Sequence, residues 1–177
     1  MAKTLWVSDV LSGSHTNNTV ELKGWIKRHR SSGKIVFMTL RDSTGEIQCV
    51  AKKVDMDEIQ YEDIKNSLIE TSVALIGEIK ADDRAPGGHE LSIKESKIIG
   101  PVNAEKPFPI TESAMEQTEG GETEFLLDNR HLYLRTSRMS TMLKIRSTVF
   151  GSIHSYFRNR EFIEYQAPSF VAGAVEG

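Results

Sequence analysis

The chain has 177 residues, 38% of them hydrophobic and 27% charged, enough to build a core and incompatible with a fully disordered polymer. Its net charge of −3 excludes a uniformly basic nucleic-acid binder, so any such contact must come from a local patch. One cysteine excludes an internal disulfide and fits a reducing cytosol; no Cys/His cluster has metal-ligand spacing, and neither a leader nor a membrane-length apolar run is legible.

Residues 1–18 form a lead-in, in which Trp6 to Val10 reads as a helical turn capped by Ser8 or Asp9. Val20, Leu22, Gly24 and Ile26 then alternate with Glu21, Lys23, Trp25 and Lys27, which predicts a first strand. Gly24 inside it predicts a bulge or a sharp bend. Lys27 to Lys34, KRHRSSGK, is the densest positive cluster of the chain and reads as a basic loop. Two readings stand side by side there, a solvated hairpin tip and a phosphate-binding loop.

The next two segments alternate more cleanly. Val36, Met38 and Leu40 share one side, with Ile35, Phe37, Thr39 and Arg41 on the other. Asp42-Ser43-Thr44-Gly45 carries turn chemistry. Ile47, Cys49 and Ala51 then oppose Glu46, Gln48 and Val50. If the more aliphatic sides face inward, Phe37 and Gln48 stand on one outer surface. A stacking ring beside an amide that can read a base edge is what a single-stranded nucleic-acid site needs. The plain alternative makes Phe37 the cap of an apolar edge and Gln48 a solvated strand residue.

Asp57 to Glu70 reads as a helix, with Ile59, Ile64, Leu68 and Ile69 as its apolar positions. Val73 to Lys80 is a fourth strand and Ala81 to Gly88 a turn. His89 to Ile99 is a fifth strand, where Leu91 and Ile93 alternate with Glu90 and Ser92. Five strands with a helix between the third and fourth predict an OB-fold, a partly open Greek-key barrel that binds oligonucleotides on its second and third strands.

Pro101, Pro107 and Pro109 interrupt regular structure, and Thr111 to Glu124 reads as an exposed connector. Order resumes in Leu126 to Arg135. Ser137 to Asn159 predicts a long amphipathic helix capped by Ser137, carrying Met139, Met142, Leu143, Val149, Phe150, Ile153 and Phe157. Phe162 to Gln166 reads as a strand leading to Pro168. One helix and one strand do not close a core, so this piece reads as the start of a larger domain. The expected fold is α+β. A five-stranded OB-fold β-barrel fills residues 1–100, a hinge 101–136, and the beginning of a second α/β domain 137–177.

GWIKRHR, KIVFMTLRDSTGEIQCV, RHLYLR and the helix running into EFIEYQAPSF and AVEG carry a family resemblance. Together they resemble the N-terminal part of the class IIb aminoacyl-tRNA synthetases. AVEG is similar to a stretch of the asparagine branch, and the aspartate branch is the alternative. The resemblance implies that the barrel binds the tRNA anticodon. Phe37 would stack on the central uridine, Arg28 and Gln48 would hydrogen-bond its edge, and Glu90 would approach the first anticodon base. Charge and loop position add Lys27, Arg30 and Lys34 as candidates for phosphate contacts. The long helix and Pro168 resemble motif 1, which in the family forms the homodimer interface. Glu176 resembles a glutamate near the amino-acid pocket.

The activity implied for the complete family enzyme is ATP- and Mg-dependent activation of asparagine, followed by transfer to tRNA in the cytoplasm. The family's motifs 2 and 3, which supply most of the ATP site, are missing from these residues. The expectation is therefore a fragment with no catalytic residues of its own, inactive alone, without metal or membrane partners. A free-standing OB-fold RNA-binding module is the competing reading, and a synthetase paralogue with another role is a third. One departure bears on local structure: the family usually has Gly before the Phe of the motif-1 turn, and here Glu161 stands there. That substitution leads us to expect a locally different turn.

Overall fold

The computed structural model describes residues 2–110 and 122–169. The chain divides into two compact units, Met1–Pro109 and Ile110–Gly177. Among the described residues no helix is long and apolar enough to cross a membrane.

The first unit is built on a long strand, β2 (Thr19–Ser32). With β3 (Ile35–Arg41), β4 (Glu46–Lys52), β5 (Ser72–Ala81) and β6 (His89–Gly100) it forms a closed ring in the order β2-β3-β4-β6-β5, shut by the β5–β2 pairing. All pairings in the ring are antiparallel except β4 with β6. This is the OB-fold arrangement expected from the five strands. A sixth strand, β1 (Lys3–Leu5), runs parallel to β2 and lies in the stretch read as a lead-in.

The core follows the alternation. Leu22, Ile26, Val36, Leu40, Ile47, Cys49, Leu75, Leu91 and Ile93 are fully buried in one cluster. Burial pushes the Cys49 thiol's pKa up, as a thiolate there would lose its water. Val50 departs from the pattern. It lies on the outward side of β4 yet is buried, as is its register partner Ser92 on β6. Both are small side chains flanked by longer neighbours.

Two glycines are explained by close approach of backbone. A Cβ at Gly24 would lie 2.4 Å from the carbonyl oxygen of Arg41, and one at Gly77 would lie 2.2 Å from that of Ser92. The bulge expected at Gly24 lies instead between Ile26 and Arg28. Gly24 is thus small because two strands cross tightly there, and the irregularity falls just after it.

The basic segment is also corrected. β2 runs on through Lys27 to Ser32, paired with β3 from Arg28↔Thr39 to Ser32↔Ile35. Only Gly33 and Lys34 make the turn, with Gly33 at φ +60°. Ladder hydrogen bonds to β3 hold these charged residues as strand, which charge density alone does not disclose.

Helix α1 (Val7–Leu11) starts at Trp6. Its first amides are taken up by side chains: Asp9 accepts from Trp6 N at 3.1 Å, and Asp42 accepts from Val7 N at 2.8 Å. The turn between β3 and β4 therefore caps this helix from outside. Helix α2 (Glu58–Asn66) is capped by Asp57, whose carboxylate accepts from Ile59 N at 3.0 Å. Its buried positions are Tyr61 and Ile64, and Ile59 is exposed, so the inward stripe differs from the expected one.

The second unit holds α3 (Glu122–Asp128), α4 (Arg130–Tyr133) and α5 (Ser137–Arg158). Thr136, not Ser137, caps α5, accepting from Met139 N at 3.3 Å. No residue of α5 is buried; Met142, Val149, Phe150, Ile153 and Phe157 are each about half exposed. Phe162 N–H donates to the Phe157 carbonyl at 3.2 Å and Glu161 N–H to the Arg158 carbonyl at 3.0 Å. Glu161 sits at φ +65°. These are the two bonds of a Schellman motif, closed by edge-to-face packing of Phe157 on Phe162 with centroids 5.4 Å apart. The left-handed position that suits glycine is kept, and Glu161 occupies it. Residues 162–168 are not a strand, because no described segment offers them a ladder.

Candidate nucleic-acid interface

Strand register lines up two rows of outward side chains across the ring. The first is Arg28, Thr39, Gln48, Glu90 and Lys80, each a direct partner of the next. The second is Arg30, Phe37, Val50, Ser92 and Glu78, two residues further along each strand. Val50 and Ser92 form a buried floor. Phe37 stands beside it, half-buried, and Gln48 and Glu90 stand in the neighbouring row.

Within these rows the polar groups are already organised. Gln48 Nε2 donates to Glu90 Oε2 at 3.0 Å. The Arg30 guanidinium carbon lies 5.3 Å from the Phe37 ring centroid, within cation–π reach. Arg28 is exposed at the end of the first row, and Lys34 is exposed at the hairpin turn. Lys27 behaves differently. It sits at the bulge, and its ammonium donates to both oxygens of Glu46, at 2.7 and 2.9 Å. A phosphate drawing on Lys27 has to compete with that carboxylate.

The structure therefore brings Arg28, Phe37, Gln48, Glu90 and Arg30 onto one face, with Lys34 at its edge. Pro168 lies in the second unit, exposed and outside regular structure. Glu176 lies outside the described residues. Among the described residues no three His, Cys, Asp or Glu side chains gather into a metal site.

Two members of the first row are not site candidates by sequence alone. Thr39 and Lys80 enter the first row only through register, and the parallel β4–β6 pairing that joins Gln48 to Glu90 spans 42 residues. No local pattern encodes that pairing. Arg84, in the loop between β5 and β6, is highly exposed and grips Asp82 through Nε and Nη2 at 3.0 and 2.9 Å. That grip holds the Asp82 carboxyl below its usual range.

Two family models match the chain. One, described as an OB-fold nucleic acid binding domain, covers residues 20–99. The other, described as tRNA synthetases class II (D, K and N), covers residues 122–177. The asparagine–tRNA ligase of Thermoplasma acidophilum is 38% identical over 98% of this chain and 38% of its own length. That of Symbiobacterium thermophilum is 36% identical over 97% of this chain and 37% of its own. Among solved structures, asparaginyl-tRNA synthetase from Pyrococcus horikoshii complexed with asparaginyl-adenylate superposes with a TM-score of 0.84 at 34% identity. It covers all of this chain and 39% of the larger one. The chain thus spans under two fifths of the length of the relatives it matches. It matches the OB-fold nucleic acid binding family over residues 20–99 and the class II (D, K and N) tRNA synthetase family over residues 122–177, and along nearly its whole length it is similar to the N-terminal portion of asparagine–tRNA ligases.

Proposed function

We propose that the ring of strands binds the anticodon loop of a tRNA, as the recognition part of an asparagine–tRNA ligase. The observation that carries this reading is the outward face itself, where a half-buried ring, Phe37, adjoins the polar row Arg28–Thr39–Gln48–Glu90. An aromatic platform holds a base by stacking and is indifferent to its identity; neighbouring hydrogen-bonding groups supply the choice. Phe37 stacks the central uridine, Arg28 and Gln48 read its edge, and Glu90 approaches the first anticodon base. Arg30 and Lys34 contact phosphates, with Lys27 a weaker candidate because of Glu46. The asparagine relatives favour this substrate over aspartate.

In the complete enzyme the activity is ATP- and Mg-dependent charging of tRNA with asparagine, carried out in the cytoplasm by a homodimer that uses α5 and Pro168 at its interface. Glu176 is the candidate for binding the amino acid there. No step of that chemistry is assigned to the described residues. Titration of the purified chain with anticodon stem-loops tests the binding reading. Tighter binding of a loop with a central U than of the same loop with C supports it; equal, weak binding of both contradicts it.

A further inference from the structure

We propose that Glu90 is a positioning residue: it fixes which end of the Gln48 side-chain amide faces the RNA, and the Gln48–Glu90 pair thereby discriminates uridine from cytidine. This rests on the anticodon reading above and deepens it. Gln48 has one donor end and one acceptor end, whereas a carboxylate only accepts. The 3.0 Å contact therefore commits Nε2 to the Glu90 side and leaves Oε1 on the other. The strands enforce this, since Gln48 and Glu90 are direct partners in the parallel β4–β6 ladder and lie on the same outward face.

The two pyrimidines ask opposite things of such an amide. Uridine presents an acceptor, O4, beside a donor, N3–H. Cytidine presents a donor, the N4 amino group, beside an acceptor, N3. An amide that places nitrogen toward position 4 and oxygen toward position 3 matches uridine twice and opposes cytidine twice. Mirroring the placement exchanges the preference, but only by turning the amide. With Glu90 as neighbour, that turn points Oε1 at a carboxylate and loses the hydrogen bond, leaving two acceptors face to face. Selectivity is thus set by a residue that need not touch the base being read.

The test is a fluorescence titration of wild type, Glu90→Gln, Gln48→Ala and the double variant. Two anticodon stem-loops are used, differing only as U or C at the central base. A neutral amide at position 90 accepts as well as donates, so it no longer dictates the orientation of Gln48. Glu90→Gln should cut the U-over-C preference by about fivefold or more, mainly by tightening the C loop. In the Gln48→Ala background the same change should leave the ratio untouched, because Glu90 acts through Gln48. A contact of Glu90 with the first anticodon base is common to both loops and drops out of the ratio. An unchanged ratio in Glu90→Gln, or an equal drop with Gln48 absent, overturns the proposal while the anticodon reading stands. Wild type that binds both loops alike overturns both.

Discussion

Arg30 and Phe37 are register partners on β2 and β3, and the guanidinium carbon lies 5.3 Å from the ring centroid. The relationship joins the two parts of the proposed site, charge for phosphate and a π-face for a base. A cation near a ring also holds it in place, at about 0.5–1 kcal/mol for an exposed pair. Arg30→Ala should therefore weaken RNA binding both by losing a phosphate contact and by loosening Phe37.

Lys34 isolates the electrostatic part, since it is exposed at the turn and away from the base-reading row. Lys34→Ala should weaken U and C loops by the same factor. The slope of log affinity against log salt should fall in magnitude by about 0.7 for one lost contact to single-stranded RNA. Titrations at several salt concentrations check this; a change in the U/C ratio would show that Lys34 reads bases.

Tyr61 is fully buried on α2, and its hydroxyl has no hydrogen-bond partner among the described residues. A buried, unsatisfied hydroxyl costs about 1–3 kcal/mol, so Tyr61→Phe should raise stability by about 1 kcal/mol or leave it unchanged. Urea denaturation of both proteins is the check. A loss above about 1 kcal/mol, in the range of a broken buried hydrogen bond, would mean the hydroxyl is satisfied.

Glu161 holds a left-handed conformation at φ +65° in the turn closing α5. Glu161→Gly should relieve about 0.5–1 kcal/mol of strain locally. Hydrogen exchange should show the Phe162 amide, bonded to Phe157, protected about two- to fivefold more strongly in the variant. Reduced protection would indicate that the Glu side chain is what stabilises the turn.

Much of this was legible in the sequence because the relevant signals are local. Period-two alternation placed Val36, Met38 and Leu40 inside and Phe37 outside, and the structure has them there. What failed was non-local. β1 was missed because three residues, Lys3–Leu5, carry no periodicity and become a strand only by pairing with β2. The strand character of Arg28 to Ser32 comes from β3, and the inward stripe of α2 comes from the surface it packs on, which selects Tyr61 over Ile59. In the site, Phe37 and Gln48 could be placed on one face by alternation. The Gln48–Glu90 bond could not, since it depends on how β6 enters the ring.

The most direct test of the anticodon reading is the titration of wild type and Phe37→Ala against stem-loops with U or C at the central base. Base–aromatic stacking is worth about 1–3 kcal/mol by alanine substitution, so the account predicts about tenfold or more weaker binding. Phe37 lies outside the buried core cluster, so the variant should keep the wild-type circular dichroism and melting transition. Unchanged affinity for both loops in a folded Phe37→Ala protein would contradict the central claim that this ring is the platform on which the anticodon is read.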